Sequence, residues 1–378
     1  MGNKKKKNSK NRNNLKNQKQ QEVKNSATAH KEVADVTVVN DEEFKKVIAK
    51  RNFYNVNDVG RVFLWVLLLP ILVSFVFAFA GYGIAAAVGV EFPADVDFLT
   101  YLLNNYIGFA IPYMLLTQVT FICIFFVYNK VHRIKFTASK FKVKKVKPLP
   151  AILCALFGIV FVIGLFGLIE GCFGRLFEMW GVSSTPSPIP LDNFGWYVLW
   201  LVLFALIPAF VEELIFRGVI FNGLKRGIGS LGAIFLSALI FALIHQNINQ
   251  FIYPFIMGCV FALVLNKTEN LVYPFLMHLF NNITTVTIQY LMNVGAINLD
   301  LPINWVYILV SIVLALAVGG LFFLFYWFYL RKQEFDPHVE EGEEFIDSKP
   351  MMLWKLPMTF YAGIIISVLL LVINLVSG

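Results

Sequence analysis

Two adjacent glutamates mark the part of the sequence that is equipped for acid–base chemistry. Glu212 and Glu213 are followed by Arg217 within an otherwise apolar stretch. Glu213 and Arg217 are four residues apart with the acid N-terminal to the base, which is the favourable order for an ion pair on one helix. Glu212 points about 100° away around the helix, so it remains available as a proton acceptor. The alternative is a structural ion network in which all three residues tie helices together.

Two histidines lie in the apolar stretches that follow. Glu212 and His245 each lie about 16 residues from a turn placed at 227–229. At a helical rise of 1.5 Å per residue, both are about 24 Å from that turn and can face each other across a hairpin. His278 shares a helical face with Asn282, four residues later. Two such neutral donors could hold the oxyanion formed when water attacks a carbonyl, whereas the structural alternative is ordinary hydrogen bonding between helices.

The composition is that of a membrane protein. Hydrophobic residues make up 58% of the 378 residues, charged residues 15%, and the mean hydropathy is +0.67; a soluble domain has about 45–50% apolar residues. The apolar residues come in runs of about 20, long enough to cross about 30 Å of hydrocarbon. We therefore predict an all-α polytopic membrane helix bundle with about 8–9 transmembrane helices. Its spans are expected at about 62–89, 102–128, 150–172, 195–217, 230–246, 251–266, 270–292, 305–330 and 357–377.

Ionisable residues inside these spans are concentrated in one place. An Asp, Lys or Arg at mid-membrane costs at least about 2.5–3.5 kcal/mol, so such residues indicate function. Only Glu170, near a span end, lies apart from the group. The others are Glu212, Glu213 and Arg217 in the fourth span, His245 in the fifth and His278 in the seventh.

The basic residues predict the orientation. Fifteen Lys and Arg precede the first span, and eight more lie between the second and third spans. By the positive-inside rule the N-terminus is cytoplasmic, and we expect a multi-pass protein of a bacterial plasma membrane. The basic tail and loop are candidates for binding anionic membrane lipids. Nucleic acid is not an expected partner, because these segments lack interleaved aromatic residues and a recognisable fold.

The chain is predicted to have four parts. Residues 1–55 form a basic, largely disordered cytoplasmic tail with a short amphipathic helix at about 41–52. Residues 56–149 hold two transmembrane helices and the basic loop. Residues 150–295 form the predicted catalytic core, with the spans that carry the glutamates and histidines. Residues 296–378 hold two further transmembrane helices.

Three ordered motifs resemble those of a known family. Residues 212–217 fit EExxxR, residues 241–245 fit FxxxH and residues 278–282 fit HxxxN. In this order, each on its own apolar span, they resemble the CAAX protease and bacteriocin-processing (CPBP) family, which includes the Ras-converting CAAX endopeptidase. The resemblance covers about residues 150–295.

The resemblance implies a glutamate-dependent intramembrane endopeptidase that acts on a peptide or a membrane-protein substrate. Glu212, helped by His245, would activate water, and His278 with Asn282 would stabilise the oxyanion. The residues with structural or orienting roles would be Glu213, Arg217 and Phe241.

The expected chemistry needs no cofactor, although zinc is possible. Glu212, His245 and His278 are a workable zinc ligand set. Against zinc, the sequence has no HExxH motif, and three such ligands leave Asn282 unexplained.

Two other functions fit parts of the pattern. A non-catalytic membrane scaffold or a bacteriocin-immunity protein would use the same residues structurally. A transporter would line a pathway with them, but it is expected to have an internal repeat with broken helices, and no convincing repeat is found.

Overall fold

Helices make up nearly all the regular structure of the described chain. The computed structural model describes residues 51–89, 101–102, 107–169, 190–248, 251–298, 305–332 and 352–377. Within these residues the only β-type pairing is an isolated bridge between Arg51 and Ile134. The helices are α1 (Val56–Ala87), α2 (Ile107–Val131), α3 (Pro148–Phe161), α4 (194–221), α5 (Asn222–Ile244), α6 (Ile252–Thr268), α7 (Val272–Asn293), α8 (Trp305–Phe328) and α9 (Met358–Ser377).

Among the described residues, five helical segments are long and apolar enough to cross a membrane. They are Val56–Ala87, Gly108–Val131, Pro148–Leu165, Phe194–Ile244 and Ile308–Lys332, and shorter apolar helices cover Ile252–Thr268 and Met358–Ile373. Large apolar side chains such as Phe75, Phe79 and Leu316 are exposed on these helices, as lipid contact requires. The protein is an integral membrane protein, and the prediction of an all-α polytopic bundle is confirmed.

The segment Phe194–Ile244 folds back on itself at Gly229. Gly229 has φ of 80° and ψ of 170°, a conformation that breaks the helix and that only glycine adopts readily. Arg217 and Phe241 lie twelve residues on either side of Gly229, and the guanidinium carbon is 4.3 Å from the ring centroid. The two arms are therefore antiparallel, as the sequence predicted from a turn at 227–229.

Helix α4 contains wide π-helical turns rather than regular α-helix throughout. They cover Leu201–Leu206 and Glu213–Phe221, and a third π turn, Val162–Phe166, extends α3. Such turns are uncommon and frequently accompany functional sites. They re-aim the side chains of residues 213–221, all of which are buried.

A polar network fixes the start of α1 beside α2. Asn55 caps α1 by accepting from the Asp58 backbone N–H, and Asp58 accepts in return from the Asn55 N–H. The buried Asp58 carboxylate also pairs with Arg51 at 3.1 Å and accepts from the Tyr128 hydroxyl at 2.8 Å. Because both partners satisfy the carboxylate, its burial is tolerated.

Helix α3 meets α7 in direct backbone contact. A Cβ added at Gly158 would lie 2.2 Å from the Met277 carbonyl oxygen and 3.0 Å from the Asn281 nitrogen. Small residues permit such close approach of membrane helices. This contact sets the position of the α7 turn that carries His278.

Several sequence predictions lie outside the described residues. These are the basic tail and amphipathic helix up to residue 50, and Glu170. They stay predictions.

Candidate active site

Glu213 is the buried centre of the polar cluster. Its side chain is 1% exposed, and its Oε1 lies 3.0 Å from Nη1 of Arg217. The same oxygen lies 3.0 Å from Nδ1 of His278, which comes from α7, 65 residues later. One carboxylate therefore joins the i,i+4 ion pair expected from the sequence to an imidazole on another helix.

Arg217 is held between aromatic rings. Its guanidinium lies over the Phe241 ring at 4.3 Å and over the Phe261 ring at 5.1 Å, and its side chain is 1% exposed. Cation–π contacts of a desolvated guanidinium contribute about 2 kcal/mol or more. These two rings and the Glu213 carboxylate are what allow a permanent charge to sit inside an apolar bundle.

His278 lies between the two glutamates. Its Nδ1 contacts Glu213, and its Nε2 is 3.7 Å from Oε2 of Glu212. The ring also stacks on Phe261, with centroids 5.0 Å apart, and meets Phe241 edge-on at 5.9 Å. A separation of 3.7 Å is too long for a direct hydrogen bond, but both atoms are within reach of one shared water or substrate oxygen.

Glu212 is the more accessible of the two carboxylates. Its side chain is 16% exposed, against 1% for Glu213. This difference fits the sequence expectation that Glu213 is committed to Arg217 while Glu212 remains available.

His245 lies at the end of α5, where its ring is fixed by its own helix. Nδ1 is 2.8 Å from the Phe241 carbonyl oxygen, and the ring meets the Phe241 ring edge-on at 4.9 Å. A carbonyl oxygen only accepts, so Nδ1 donates and the neutral ring presents its lone pair at Nε2. In the part of the chain that the structure describes, no hydrogen bond or ion pair joins His245 to Glu212.

The two asparagines of α7 have different surroundings. Asn281 is buried and donates to the Tyr253 hydroxyl and to the Gly158 carbonyl, the latter at 3.4 Å. Asn282, four residues after His278, is half-buried, and its side chain has no hydrogen bond to any residue of the described ranges. Asn282 therefore keeps its amide donors available, while Asn281 ties α7 to α3 and α6.

The structure brings together two of the three candidate zinc ligands, Glu212 and His278. Within the described ranges, no group of three or more His, Cys, Asp or Glu side chains has the arrangement that would hold a metal ion. Glu212 and His278 approach each other at 3.7 Å, whereas within the described ranges no hydrogen bond or ion pair joins His245 to either of them.

Sequence reasoning missed three residues that shape the cluster. Phe261 contacts both Arg217 and His278, but it is one of 38 phenylalanines and nothing local distinguishes it. A Cβ at Gly258 would lie 2.9 Å from the Ala238 Cβ and 3.4 Å from Nη2 of Arg217, so glycine is required for α6 to approach. Tyr253 is the third, through its hydrogen bond with Asn281.

Fold and site together define a class. The chain is a polytopic helical membrane protein in which two carboxylates and a guanidinium of the segment Phe194–Ile244 meet an imidazole of α7. Acids and imidazoles so arranged are typical of hydrolytic enzymes.

Comparison with protein families narrows this class. Residues 194–284 match the family described as "Type II CAAX prenyl endopeptidase Rce1-like". The match contains all three motifs and covers about a quarter of the chain. Over this segment the chain is similar to that family of CAAX prenyl endopeptidases. No curated protein and no solved structure matches the chain.

Proposed function

We propose that this protein is an intramembrane endopeptidase that hydrolyses a peptide bond in a membrane-associated protein or peptide by means of a water molecule activated by Glu212. The observation that supports this most directly is the position of His278, between the carboxylates of Glu212 and Glu213. The family match over residues 194–284 supports the reaction class, and the geometry supports the division of roles.

The first step of the argument is charge balance. Glu213 and Arg217 offset each other at 3.0 Å, which leaves Glu212 and His278 as the second pair. If His278 is an imidazolium, its Nδ1–H donates to Glu213 and its Nε2–H remains for a second acceptor. The four groups then sum to zero charge, which an apolar bundle favours.

The proposed reaction moves one proton in and out of Glu212. Glu212 takes a proton from water while the oxygen attacks the scissile carbonyl carbon, and the carbonyl oxygen becomes an oxyanion. Negative charge thus moves from the carboxylate to the oxyanion, and the Nε2–H of His278 with the Asn282 amide receives it. Glu212 then returns its proton to the leaving amine as the C–N bond breaks, giving an acid and an amine.

His245 would assist at the start of this sequence. With Nδ1 bonded to the Phe241 carbonyl, its Nε2 accepts a hydrogen bond. An acceptor at this end of α5 would orient the attacking water. This role is a proposal, because Glu212 and His245 are not in direct contact.

The family description suggests the substrate class. Its words "CAAX prenyl endopeptidase" suggest a prenylated Cys-a-a-X carboxyl terminus, whose lipid would hold the scissile bond at the membrane. A peptide without a prenyl group is the second possibility.

A non-catalytic role is the alternative. The contacts among Glu213, Arg217 and His278 would also tie α4, α5, α6 and α7 together as a structural network. This alternative predicts that Glu212, which is more exposed and makes the longer contact, is dispensable.

The test is cleavage by purified full-length protein in lipid nanodiscs. Two probes are used, a farnesylated Cys-a-a-X peptide and the same peptide without the lipid, with products identified by mass spectrometry. Glu212→Gln keeps the shape of the side chain and removes the base, so we expect cleavage to fall at least about 10²-fold. Asp192→Asn, the same carboxylate-to-amide change at an exposed position, is the matched control and is expected to cleave normally.

The result that would contradict the proposal is equally specific. Folded Glu212→Gln protein that cleaves either peptide at the wild-type rate would exclude Glu212 as the base. If wild-type protein cleaves neither peptide, the membrane peptidomes of cells expressing wild-type and Glu212→Gln protein are compared. Identical peptidomes would favour the non-catalytic alternative.

A further inference from the structure

A basic pocket lies away from the glutamate–histidine cluster, at one end of the bundle. Its volume is about 240 Å³. The wall is formed where α3 and α7 begin and where α6 and α8 end, by Lys142, Lys145, Lys147, Asn270, Tyr273 and Tyr329. Pockets for drug-sized ligands have about 300–1,000 Å³, so this one suits a single small polar group.

The backbone around the pocket is fixed by hydrogen bonds. The Asn270 side chain accepts from the Lys142 N–H at 3.3 Å and donates to the Lys142 carbonyl at 3.0 Å. The Tyr273 hydroxyl accepts from the Lys147 N–H at 2.9 Å, which leaves its own proton for donation. The two lysine-bearing turns are thus held in place by side chains of the α6–α7 connection and of α7, and the pocket is preorganised.

The acid that the described residues place in the wall is already offset, because Glu269 pairs with Lys225 at 2.6 Å. Lys145 and Lys147, both exposed, give the pocket a positive character, and Tyr273 and Tyr329 line it beside them. Cationic amines with hydroxyl donors form the usual environment of a phosphate group.

The surroundings place the pocket at the level of lipid headgroups. Arg331 lies over the ring of Trp327 at 4.1 Å, and Lys267 lies 5.8 Å from the centroid of Tyr326. Aromatic residues with basic partners are typical of the membrane–water interface. Next to the pocket lysines and to Tyr329, the apolar side chains of Leu149 and Phe328 are both 62% exposed, which is where acyl chains would begin.

We propose that this pocket binds a phosphate group at the membrane surface, supplied by the headgroup of an anionic phospholipid. The amines of Lys145 and Lys147 contact the phosphate, and the exposed apolar side chains beside them hold the acyl chains. The positive-inside rule assigns this end of the bundle to the cytoplasmic face. The proposal does not depend on the peptidase function.

The test measures lipid binding to the full-length protein in detergent micelles by native mass spectrometry. Phosphatidylglycerol and phosphatidylcholine are compared for wild-type protein and for Lys145→Ala/Lys147→Ala. Both side chains are exposed, so the variant is expected to fold, which its melting temperature checks. At roughly fivefold per lysine near the surface, we expect the double variant to bind phosphatidylglycerol about 25-fold more weakly, with phosphatidylcholine unaffected.

Lys130→Ala/Lys135→Ala is the matched control, because it removes the same charge from exposed positions outside the pocket, in the last turn of α2 and in the loop that follows. Retained binding in the control supports a site, whereas an equal loss in both double variants would overturn it in favour of unspecific attraction. Unchanged binding by Lys145→Ala/Lys147→Ala would also overturn it. Inorganic phosphate is then added as a competitor. If it displaces the lipid from wild-type protein but not from Lys145→Ala/Lys147→Ala, the result supports the phosphate site. It also identifies soluble phosphate as a second source of the bound group.

Discussion

At the scale of single residues, His278 links the two adjacent glutamates. The sequence indicates one helix with a committed acid and an available acid. In the structure the same imidazole approaches both, at 3.0 Å from Glu213 and 3.7 Å from Glu212. A change in the protonation or charge of one carboxylate therefore affects the other carboxylate through the imidazole ring.

Arg217 provides the residue-scale prediction. Replacing Arg217 with Met leaves the Glu213 carboxylate buried without its guanidinium, while the contact with His278 remains. Breaking a buried pair costs about 3–5 kcal/mol, and the remaining contact puts the expected loss of unfolding free energy at about 3 kcal/mol. The measurement is unfolding in mixed detergent micelles followed by tryptophan fluorescence.

Two further variants test whether the loss of unfolding free energy comes from the broken ion pair. Glu213→Gln/Arg217→Met removes both charges, so its cost should be smaller than the sum of the two single changes. Arg226→Met changes an exposed arginine whose guanidinium lies over the Phe53 ring at 4.5 Å, and it should cost no more than about 1 kcal/mol. Equal losses for Arg217→Met and Arg226→Met would contradict the buried-pair interpretation.

At the scale of helices, glycines and wide turns decide how the spans meet. Gly158 brings α3 onto the α7 backbone, and Gly258 brings α6 onto α5 beside Arg217. The π turn at Glu213–Phe221 aims a polar pair and six apolar side chains inward over nine residues. These devices place side chains from four helices in one cluster.

The element-scale prediction concerns Gly158. In Gly158→Ala the new Cβ would lie 2.2 Å from the Met277 carbonyl oxygen, so α3 and α7 must separate. Overpacking of this kind costs about 1–3 kcal/mol, and a shift of about 1 Å at His278 can lower a catalysed rate by about 10²-fold. We expect both a lower melting temperature and slower cleavage of whichever peptide proves to be a substrate.

Gly319→Ala is the matched change for this test. It lies in the middle of α8, where an added Cβ meets no heavy atom within 4 Å. Alanine is the better helix former by about 0.8–1.0 kcal/mol in water, so stability should be unchanged or higher. The packing argument fails if Gly158→Ala melts at or above the wild-type temperature.

At the scale of the whole molecule, the basic residues predict how the bundle sits in the membrane. The pocket lysines lie in the segment that precedes α3. Asp192 and Asn193 come after α3 and directly before α4. The positive-inside rule assigns the former to the cytoplasm.

The prediction at this scale uses Lys144→Cys and Asp192→Cys, both at exposed positions. We expect a membrane-impermeant maleimide to label Asp192→Cys in intact cells and Lys144→Cys only after permeabilisation. Unsubstituted protein, which retains its native cysteines, provides the background. The reverse labelling pattern would invert the proposed orientation and move the phosphate pocket to the outer face.

The sequence by itself determined the features that one helix imposes. Run length and composition established a membrane bundle, and the four-residue spacing within one helix brought Glu213 to Arg217. A glycine-rich turn at 227–229 indicated the hairpin that brings Arg217 against Phe241. These features are local, because backbone hydrogen bonding repeats the same geometry along any helix.

Only the tertiary structure decided which helix faces which. Three features depend on how the helices rotate and cross. They are the contact between Glu213 and His278, which are 65 residues apart, the packing of Phe261 on both Arg217 and His278, and the basic pocket. Rotation and crossing are determined by close approach at glycines and by the wide turns, which leave no periodic mark in the sequence. The candidate site residues could therefore be identified from the sequence. Their contact partners could be identified only from the packed helices.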